Sequence, residues 1–224
     1  MKQTAQSTKG NYAFIDSQNL NMGVGTNVMF NGRRVYYGWR LDFEKFFHYL
    51  QENYQVEKAF LFIGNVAGQE ELYESLEHAG YEVIFKPTTS HTDAEGELIV
   101  KGNVDTDLVL YAAAKEYRNY RQAIIVTGDG DFLSLCDYLD ERGKLAKIII
   151  PNKLRYSQLL AKYSETNRLD FVSDKRKTLQ KLEQIQPIEP EPQPEPEPVA
   201  EPAPEPEEPA KPKRRRFYYR RKRS

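Results

Sequence analysis

Aspartate side chains recur in three short segments that lie far apart along the chain. Asp16 stands in the first segment, Asp105 and Asp107 in the second, and Asp129 and Asp131 in the third. If the fold brought them together, their negative charges would repel one another and would need a compensating cation. Mg²⁺ binds through a few carboxylates with water and substrate phosphate, and two such ions can promote phosphodiester hydrolysis. The residue types therefore predict a metal-dependent hydrolytic site, provided that the fold gathers the three segments.

Each acidic segment also has a purely structural interpretation. Asp16 could end a strand, Asp105 or Asp107 could cap a helix, and the segment from Asp129 to Asp131 could be an ordinary turn. Taken one at a time, the segments leave both interpretations open. Taken together they favour a metal site, and the glycines on either side of Asp129 would let the backbone pass close to a ligand.

The sequence around these segments alternates short apolar runs with amphipathic stretches. The apolar runs predict strands, and the stretches with apolar residues three and four positions apart predict helices. Strands separated by helices imply a parallel sheet that is covered on both faces. We therefore predict a three-layer α/β fold. In such a fold the functional crevice lies beyond the carboxyl ends of the strands, which is where the aspartates would stand.

The predicted elements follow one another along most of the first 186 residues. Strands are predicted at residues 12–15, 56–63, 81–85, 123–127, 145–150 and 169–172. Helices are predicted at residues 41–54, 69–79, 103–117, 131–142, 156–163 and 176–186. We interpret residues 23–25 as a loop, and the three histidines as surface side chains, with His91 in a polar loop, because none has metal-ligand spacing.

Three motifs carry a resemblance to a known family. They are FIDSQN at 14–19, KGNVDTDL at 101–108 and TGDGDF at 127–132. In this order and spacing the chain resembles the NYN domain, and more narrowly the LabA-like branch of the PIN-like nuclease superfamily, over about residues 11–172. The resemblance implies a PIN-like parallel sheet, bound Mg²⁺ or Mn²⁺, and RNA as the usual substrate. The family often has Gly or Ala where Ser17 and Gln18 stand here.

The resemblance also assigns roles to individual residues. The catalytic, metal-binding acids would be Asp16, Asp105, Asp129 and Asp131, with Asn19 as the polar residue near the first acid and with Asp107 and Thr127 as auxiliary residues. Other α/β sites fit less well. The sequence lacks the second aspartate of haloacid-dehalogenase-type phosphatases, the acidic pair of receiver domains, the toprim glutamate and both glycine-rich nucleotide-binding loops.

A polar and aromatic segment at residues 21–39 separates the first strand from the next predicted helix. Asn31-Gly32 predicts a two-residue hairpin turn, which would place Arg33 and Arg34 beside the acidic crevice to guide RNA. Trp39, next to the amphipathic helix, is predicted to lie in the core. Lys101 precedes Asp105 and is predicted to hold a phosphate, although a solvated lysine fits the sequence nearly as well.

The C-terminal part has a different composition from the rest. Eleven of the thirteen prolines and eight glutamates lie in the last 38 residues, and nine Lys or Arg residues fall within residues 211–224. Residues 187–210 predict a disordered, extended spacer. The tail beyond it interleaves cations with aromatic side chains, which predicts binding to RNA through Lys213, Arg214, Arg215, Arg216, Phe217, Tyr218, Tyr219, Arg220 and Arg221. A localisation signal, a membrane-binding patch and a solubility tail stay open as alternatives.

The remaining expectations concern organisation and location. Residues 1–10 are predicted to be a flexible N-terminus without a signal sequence, and residues 11–175 the catalytic domain. Cys136 is the single cysteine, which favours a reducing, cytoplasmic compartment, and no apolar run is long enough to span a membrane. The sequence leaves open whether the chain forms a homodimer. It predicts a metal-dependent ribonuclease, with a non-catalytic RNA- or protein-binding module as the alternative.

Overall fold

The computed structural model describes residues 9–86, 89–92, 98–101 and 104–182, and it describes side chains outside residues 87–104. These residues belong to one compact unit, Met1–Leu182, and Glu183–Ser224 is a separate unit. The predicted spacer at 187–210 and the basic aromatic tail at 211–224 therefore lie outside the described residues, as does most of the predicted flexible N-terminus at 1–10.

A six-stranded parallel sheet forms the centre of the protein, with strand order β10-β9-β8-β1-β4-β5. Its strands are β1 (Asn11–Asp16), β4 (Val56–Gly64), β5 (Tyr81–Lys86), β8 (Ala123–Val126), β9 (Leu145–Ile150) and β10 (Leu169–Phe171). Every residue of β1 and β8 is buried, which explains their uninterrupted apolar sequences, because a central strand covered on both faces has no solvent side. The predicted α/β sheet is confirmed.

Helices cover both faces of this sheet. They are α1 (Ser17–Gly25), α2 (Phe43–Tyr54), α3 (Glu70–His78), α4 (Val104–Leu110), α5 (Leu133–Glu141) and α6 (Arg176–Leu179). Side chains of α1, α2 and α3 pack with alternate strand residues, such as Ile15, on one face. Side chains of α4 and α5 pack with the other strand residues, such as Phe14, on the opposite face. The two buried clusters make the three layers that the sequence predicts.

The ends of the helices follow local sequence rules. The Asp42 side chain accepts a hydrogen bond of 3.2 Å from the backbone amide of Lys45 at the start of α2. Gly80 follows α3 with a φ of +103° and Gly143 follows α5 with a φ of +66°, and both angles are left-handed values that glycine adopts at little cost. The polar segment after β1 contains the antiparallel hairpin of β2 (Val28–Phe30) and β3 (Arg33–Tyr36), and both turn residues, Asn31 and Gly32, have positive φ as predicted.

The structure corrects the interpretation of residues 23–25 as a loop. They are the last residues of α1, which begins directly after β1 with Asp16 as its N-cap. Gly23 and Gly25 weaken the helical pattern of this segment in the sequence. The helix forms because Leu20 and Val24 bury their side chains against the sheet and Trp39, which is 5% exposed and lies in the core as predicted.

Four other elements differ from the prediction. The helix predicted at residues 103–117 is α4 followed by a π-helix, Tyr111–Lys115, and the helix predicted at 156–163 is a 3-10 helix, Gln158–Ser164. The terminal helix predicted at 176–186 is shorter, because α6 ends at Leu179 where Gln180 bridges to Leu41. His91 lies in a strand rather than a loop, since β6 (Thr89–Thr92) pairs with β7 (Leu98–Lys101).

Candidate active site

Three acidic segments meet at the carboxyl end of the central strands. β1 and β8 are adjacent and in register, with Ile15 opposite Val126, so that Asp16 and the turn after β8 stand side by side. The first turn of α4 brings Asp105 to the same edge. Asp16, Asp105 and Asp129 line one pocket of about 340 Å³, which we call the acidic pocket. The fold thus gathers three of the predicted acids from three distant segments.

Asp16 is the most buried of these acids. Its side chain is the N-cap of α1 and accepts a hydrogen bond of 3.0 Å from the backbone amide of Asn19. Burial, together with the nearby negative charges of Asp105 and Asp129, raises the pKa of Asp16 to about 6, against the lowering effect of the hydrogen bond from Asn19. Burial first, and then the charges of Asp129 and Asp131, also raise the pKa of Asp105. The positive charge of Lys86 lowers the pKa of Asp105 in part, so that the negative charges of the site are only partly compensated.

Two neutral side chains fix the positions of the acids. The Asn19 Oδ1 atom accepts a hydrogen bond of 2.7 Å from the backbone amide of Gly128, which ties α1 to the turn after β8. Thr127 is fully buried, and its hydroxyl accepts a hydrogen bond of 3.2 Å from the Asp129 amide while it donates a long one of 3.5 Å to Asp16. Both predicted residues lie at the site and have positioning roles.

The turn after β8 separates the two acids of the third motif. The Asp129 side chain accepts a hydrogen bond of 3.0 Å from the backbone amide of Asp131, and Asp129 lines the acidic pocket. Asp131 lines instead a neighbouring depression of about 430 Å³, whose wall Asp129 also forms. The structure therefore places Asp131 next to the pocket that holds the other three acids, and not among its lining residues.

Asp107, the predicted auxiliary acid, lies two residues after Asp105 in the same first turn of α4. Its carboxylate forms a salt bridge of 3.3 Å with Lys86, whose side chain is buried. Asp107 does not line the acidic pocket. Its negative charge instead compensates the buried ammonium group of Lys86 at the end of β5. Neither Asp105 nor Asp107 is the N-cap of α4, because the helix begins at Val104 and both residues lie inside its first turn.

Two of the predicted RNA-contacting cations, Arg33 and Arg34, lie in the described residues and do not line the acidic pocket. Arg33 and Arg34 lie exposed on β3, where the Arg34 guanidinium stacks on the Tyr37 ring at 4.9 Å, and neither side chain lines the pocket. Lys101 lies in β7, but its side chain is outside the described residues. The nine predicted tail residues, Lys213 to Arg221, also lie outside the described part of the chain.

Arg155 lines the acidic pocket and was not predicted. It lies in the loop that follows β9, and this loop returns to the carboxyl edge of the sheet. Its backbone amide donates a hydrogen bond of 3.1 Å to the carbonyl of Asn152, whose side chain in turn donates one of 3.0 Å to Gly23 in α1. The sequence offered one indication that Arg155 belongs to the site, which is its position in the loop after a predicted strand that ends before Pro151.

Comparison with known proteins places the fold in a family. Residues 12–165 match the NYN domain family. The chain belongs to this family. A solved structure of a protein of unknown function from Vibrio parahaemolyticus is similar to it with a TM-score of 0.52 and 22% identity, over 75% of this chain and 94% of that chain. At this level of identity the likeness supports the fold alone. No curated protein matches the chain.

The acidic pocket of this NYN domain suits a hard cation by its donor set. Its lining atoms from Asp16, Asp105, Asp129 and Asn19 are oxygen donors of the kind that Mg²⁺ and Mn²⁺ prefer. None of the three carboxylates forms a salt bridge within the described residues. In the same part of the chain, no three His, Cys, Asp or Glu side chains are grouped so closely that they form a ready-made metal site. The donor types of the pocket therefore suit Mg²⁺ or Mn²⁺, whereas the spacing of the acids does not by itself form a metal site within the described residues.

A larger cavity of about 830 Å³ lies on the face of the NYN domain that is covered by α1, α2 and α3. Its lining includes Trp39, Asp42 and Leu72, and none of the predicted catalytic acids. The larger volume of this cavity would favour it as the functional site over the acidic pocket. We place the chemistry at the smaller acidic pocket because the carboxylates without a salt-bridge partner line it.

In the described residues, no helix is long and apolar enough to cross a membrane.

The raised pKa of Asp16 predicts that Asp16→Asn stabilises the metal-free protein. Folding favours the protonated form, so that the wild-type protein loses stability as the pH rises from the usual aspartate pKa of about 4 through about 6. Asparagine carries no charge and still caps α1. In EDTA at about pH 7.5 we expect the variant to unfold in urea with a free energy higher by on the order of 2 kcal/mol. The two proteins should converge near pH 4.

The control for this experiment is Asp42→Asn, the same chemical change at another helix N-cap. Asp42 lies 3.5 Å from the ammonium group of Lys45, so that removal of its charge loses a favourable interaction. Asp42→Asn should therefore leave stability unchanged or lower it slightly. An Asp16→Asn variant that is no more stable than wild type at neutral pH would contradict the picture of an uncompensated, buried carboxylate.

Proposed function

We propose that the protein is a metal-dependent ribonuclease that hydrolyses phosphodiester bonds of RNA in the acidic pocket. The observation that carries the proposal is the convergence of Asp16, Asp105 and Asp129 on one pocket, where none of them forms a salt bridge within the described residues. Membership in the NYN family supports it, because this family belongs to the PIN-like nuclease superfamily. The three motifs at 14–19, 101–108 and 127–132 support assignment to its LabA-like branch.

The chain's own residues divide the work between binding and positioning. Asp16, Asp105 and Asp129 would hold Mg²⁺ or Mn²⁺, and Asp131 would act from the neighbouring depression. Bound divalent cations supply activation of water and stabilisation of the charge that develops on the phosphodiester. Asn19 and Thr127 hold the first and third acidic segments at a fixed separation through the backbone of Gly128 and Asp129. This rigidity orients the carboxylates before the substrate arrives.

The substrate reaches the pocket, in this proposal, as RNA that is tethered elsewhere on the same chain. The nine cations and three aromatic side chains of residues 211–224 supply phosphate neutralisation and base stacking. Arg33 and Arg34 would add contacts outside the acidic pocket, and Lys101 would hold a further phosphate. Both the tether and a cytoplasmic location are parts of the proposal that rest on the sequence.

A non-catalytic RNA- or protein-binding module is the second candidate. It is favoured by the absence, among the described residues, of three acidic side chains close enough to form a ready-made metal site. In this function the PIN-like fold would bind its partner through the same surfaces without turnover. The two candidates differ in whether divalent cations bind at the acidic pocket.

Metal binding can be measured by thermal unfolding. Mg²⁺ or Mn²⁺ is expected to raise the Tm of the wild-type protein, because an ion that binds the folded state alone stabilises it. Asp129→Asn should abolish this rise, since it removes one carboxylate while the amide oxygen can still accept the hydrogen bond from Asp131. The matched control is Asp174→Asn, which alters an exposed carboxylate paired with Lys153 away from the pocket. Equal metal-induced shifts in wild type and Asp129→Asn would favour the binding module.

A further inference from the structure

Arg155 stands on a wall that is shared by the two adjoining cavities of the active site. On one side it lines the acidic pocket with Asp16, Asp105 and Asp129, where it is the sole cation among the lining residues. On the other side it lines the depression of about 430 Å³ that contains Asp131. An anion that occupies both cavities would therefore lie next to the Arg155 guanidinium.

The Arg155 side chain is available to such an anion. It forms no hydrogen bond or salt bridge within the described part of the chain, although acidic side chains line the same cavities. Nearby cations behave differently: Lys153 pairs with Asp174 at 2.6 Å, and Lys162 pairs with Asp137 at 2.5 Å. A guanidinium can bind a phosphate with two parallel hydrogen bonds, which a paired lysine cannot do.

The loop that carries Arg155 is tied to the elements that carry the acids. The fully buried Asn152 side chain donates a hydrogen bond of 3.0 Å to the carbonyl of Gly23 and accepts one of 3.0 Å from the amide of Leu154. On the other side of Arg155, the Ser157 amide donates one of 2.9 Å to the carbonyl of Gly128. The backbone on both sides of Arg155 is thus held against α1 and against the turn after β8, which preorganises it relative to Asp16 and Asp129.

The depression beside Arg155 has the lining of a nucleoside site. Tyr156, Ser157 and Leu159 line it, and they lie directly against the Gly128–Asp131 turn, which also lines it. Leu159 is 59% exposed, whereas the Tyr156 ring packs against the core, with 5.9 Å between its centre and that of Phe171. An exposed apolar side chain beside a cation can contact an unpaired base whose phosphate the cation binds.

We propose that Arg155 binds the RNA phosphate at the acidic pocket and that the depression lined by Tyr156, Ser157 and Leu159 takes the adjoining nucleoside. The proposal rests on the proposed function and names a substrate-contacting residue and a base site for it. The lining supports it: Asp16 and Asp105 line the acidic pocket alone, whereas Arg155 lines both cavities and could bind a phosphate between them.

The test compares Arg155→Ala, Arg155→Lys and Lys153→Ala in the full-length protein. The first readout is kcat/KM for cleavage of a short single-stranded oligoribonucleotide in Mg²⁺ or Mn²⁺. Arg155→Ala should lower it by about 10- to 100-fold, the loss typical of one charged hydrogen-bonding partner. Arg155→Lys should recover part of the loss, because it restores the charge without the bidentate geometry. Lys153→Ala, in the same loop but lining neither cavity, should match wild type.

The second readout does not require turnover. A trinucleotide that contains 4-thiouridine is cross-linked to each variant in EDTA, and the cross-linked peptides are identified by mass spectrometry. The proposal predicts a cross-link within residues 156–162 in wild type and in Lys153→Ala, and its loss in Arg155→Ala. This readout distinguishes binding at the base site from binding to the C-terminal tail, because a cross-link to the tail is found in a different peptide.

The outcomes distinguish this inference from the proposed function. Metal-dependent cleavage that is equal in wild type and Arg155→Ala would overturn the role of Arg155 and leave the ribonuclease in place. If wild type shows no cleavage with either metal, the ribonuclease proposal fails, and the cross-link decides the inference alone. An Arg155-dependent cross-link at 156–162 would then support RNA binding at this site, and its absence in wild type would overturn it.

Discussion

Full-length protein carrying Asp129→Asn is expected to cleave single-stranded RNA at least about 100-fold more slowly than wild type. Asp16→Asn should have an effect of similar size. Both carboxylates line the acidic pocket at the ends of adjacent central strands, and in the proposed function the loss of either would remove a ligand that positions the ions. The measurement is the single-turnover rate at saturating protein with Mg²⁺ or Mn²⁺, so that weaker RNA binding does not enter the comparison.

The same assay contains its own structural controls. In both variants the amide oxygen can keep the hydrogen bond that the aspartate accepts, from Asn19 at position 16 and from Asp131 at position 129, so that the fold should persist. Asp174→Asn should retain the wild-type rate. A folded Asp129→Asn protein with near wild-type cleavage that EDTA still inhibits would show that the ions are held elsewhere.

The second large effect concerns the tail. Truncation after Gln186 removes nine cations from residues 211–224, and for each phosphate that is no longer neutralised the log–log slope of affinity against salt becomes shallower by about 0.7. The slope for single-stranded RNA should therefore fall by up to about 6, with a strong loss of affinity at low salt. Cleavage of a short, saturating oligonucleotide should be nearly unchanged, because the acidic pocket belongs to the compact unit that ends at Leu182.

A variant with the eight spacer glutamates replaced by glutamine is the companion to this truncation. The glutamates can pair transiently with the nine cations and weaken non-specific binding, so that their replacement should tighten binding to unrelated RNA. The measurement is RNA affinity against salt concentration for the three proteins. A truncated protein with the affinity and slope of full length would show that residues 211–224 serve as a protein or membrane address instead.

The parallel sheet and its two covered faces could be predicted because the central strands are uninterrupted apolar runs. The AIIV run of β8 fits a strand with no exposed face, and glycines at 80 and 143 mark the ends of helices. This periodicity and these end signals are local properties of the sequence. The carboxyl-edge rule then placed Asp16, Asp105 and Asp129 together without knowledge of any contact.

The features that could not be predicted depend on contacts between distant residues. α1 contains two glycines and begins at an aspartate that also belongs to the site, so that its helical pattern is weak until Leu20 and Val24 are packed. The place of Arg155 depends on hydrogen bonds that span more than a hundred positions, such as Asn152 to Gly23. Asp131 is separated from the other acids by the turn that starts at Asp129, which the motif alone does not reveal.

Metal-dependent cleavage by the wild-type protein tests the central claim most directly. The full-length protein is freed of metal with EDTA, dialysed, and incubated with an end-labelled single-stranded oligoribonucleotide at increasing MgCl₂ or MnCl₂. We predict no cleavage without metal and a rate that rises with metal to a plateau, as expected for ions bound by Asp16, Asp105 and Asp129. Cleavage that is equal in EDTA and in Mg²⁺, or no cleavage at any concentration of either metal, would contradict a metal-dependent ribonuclease.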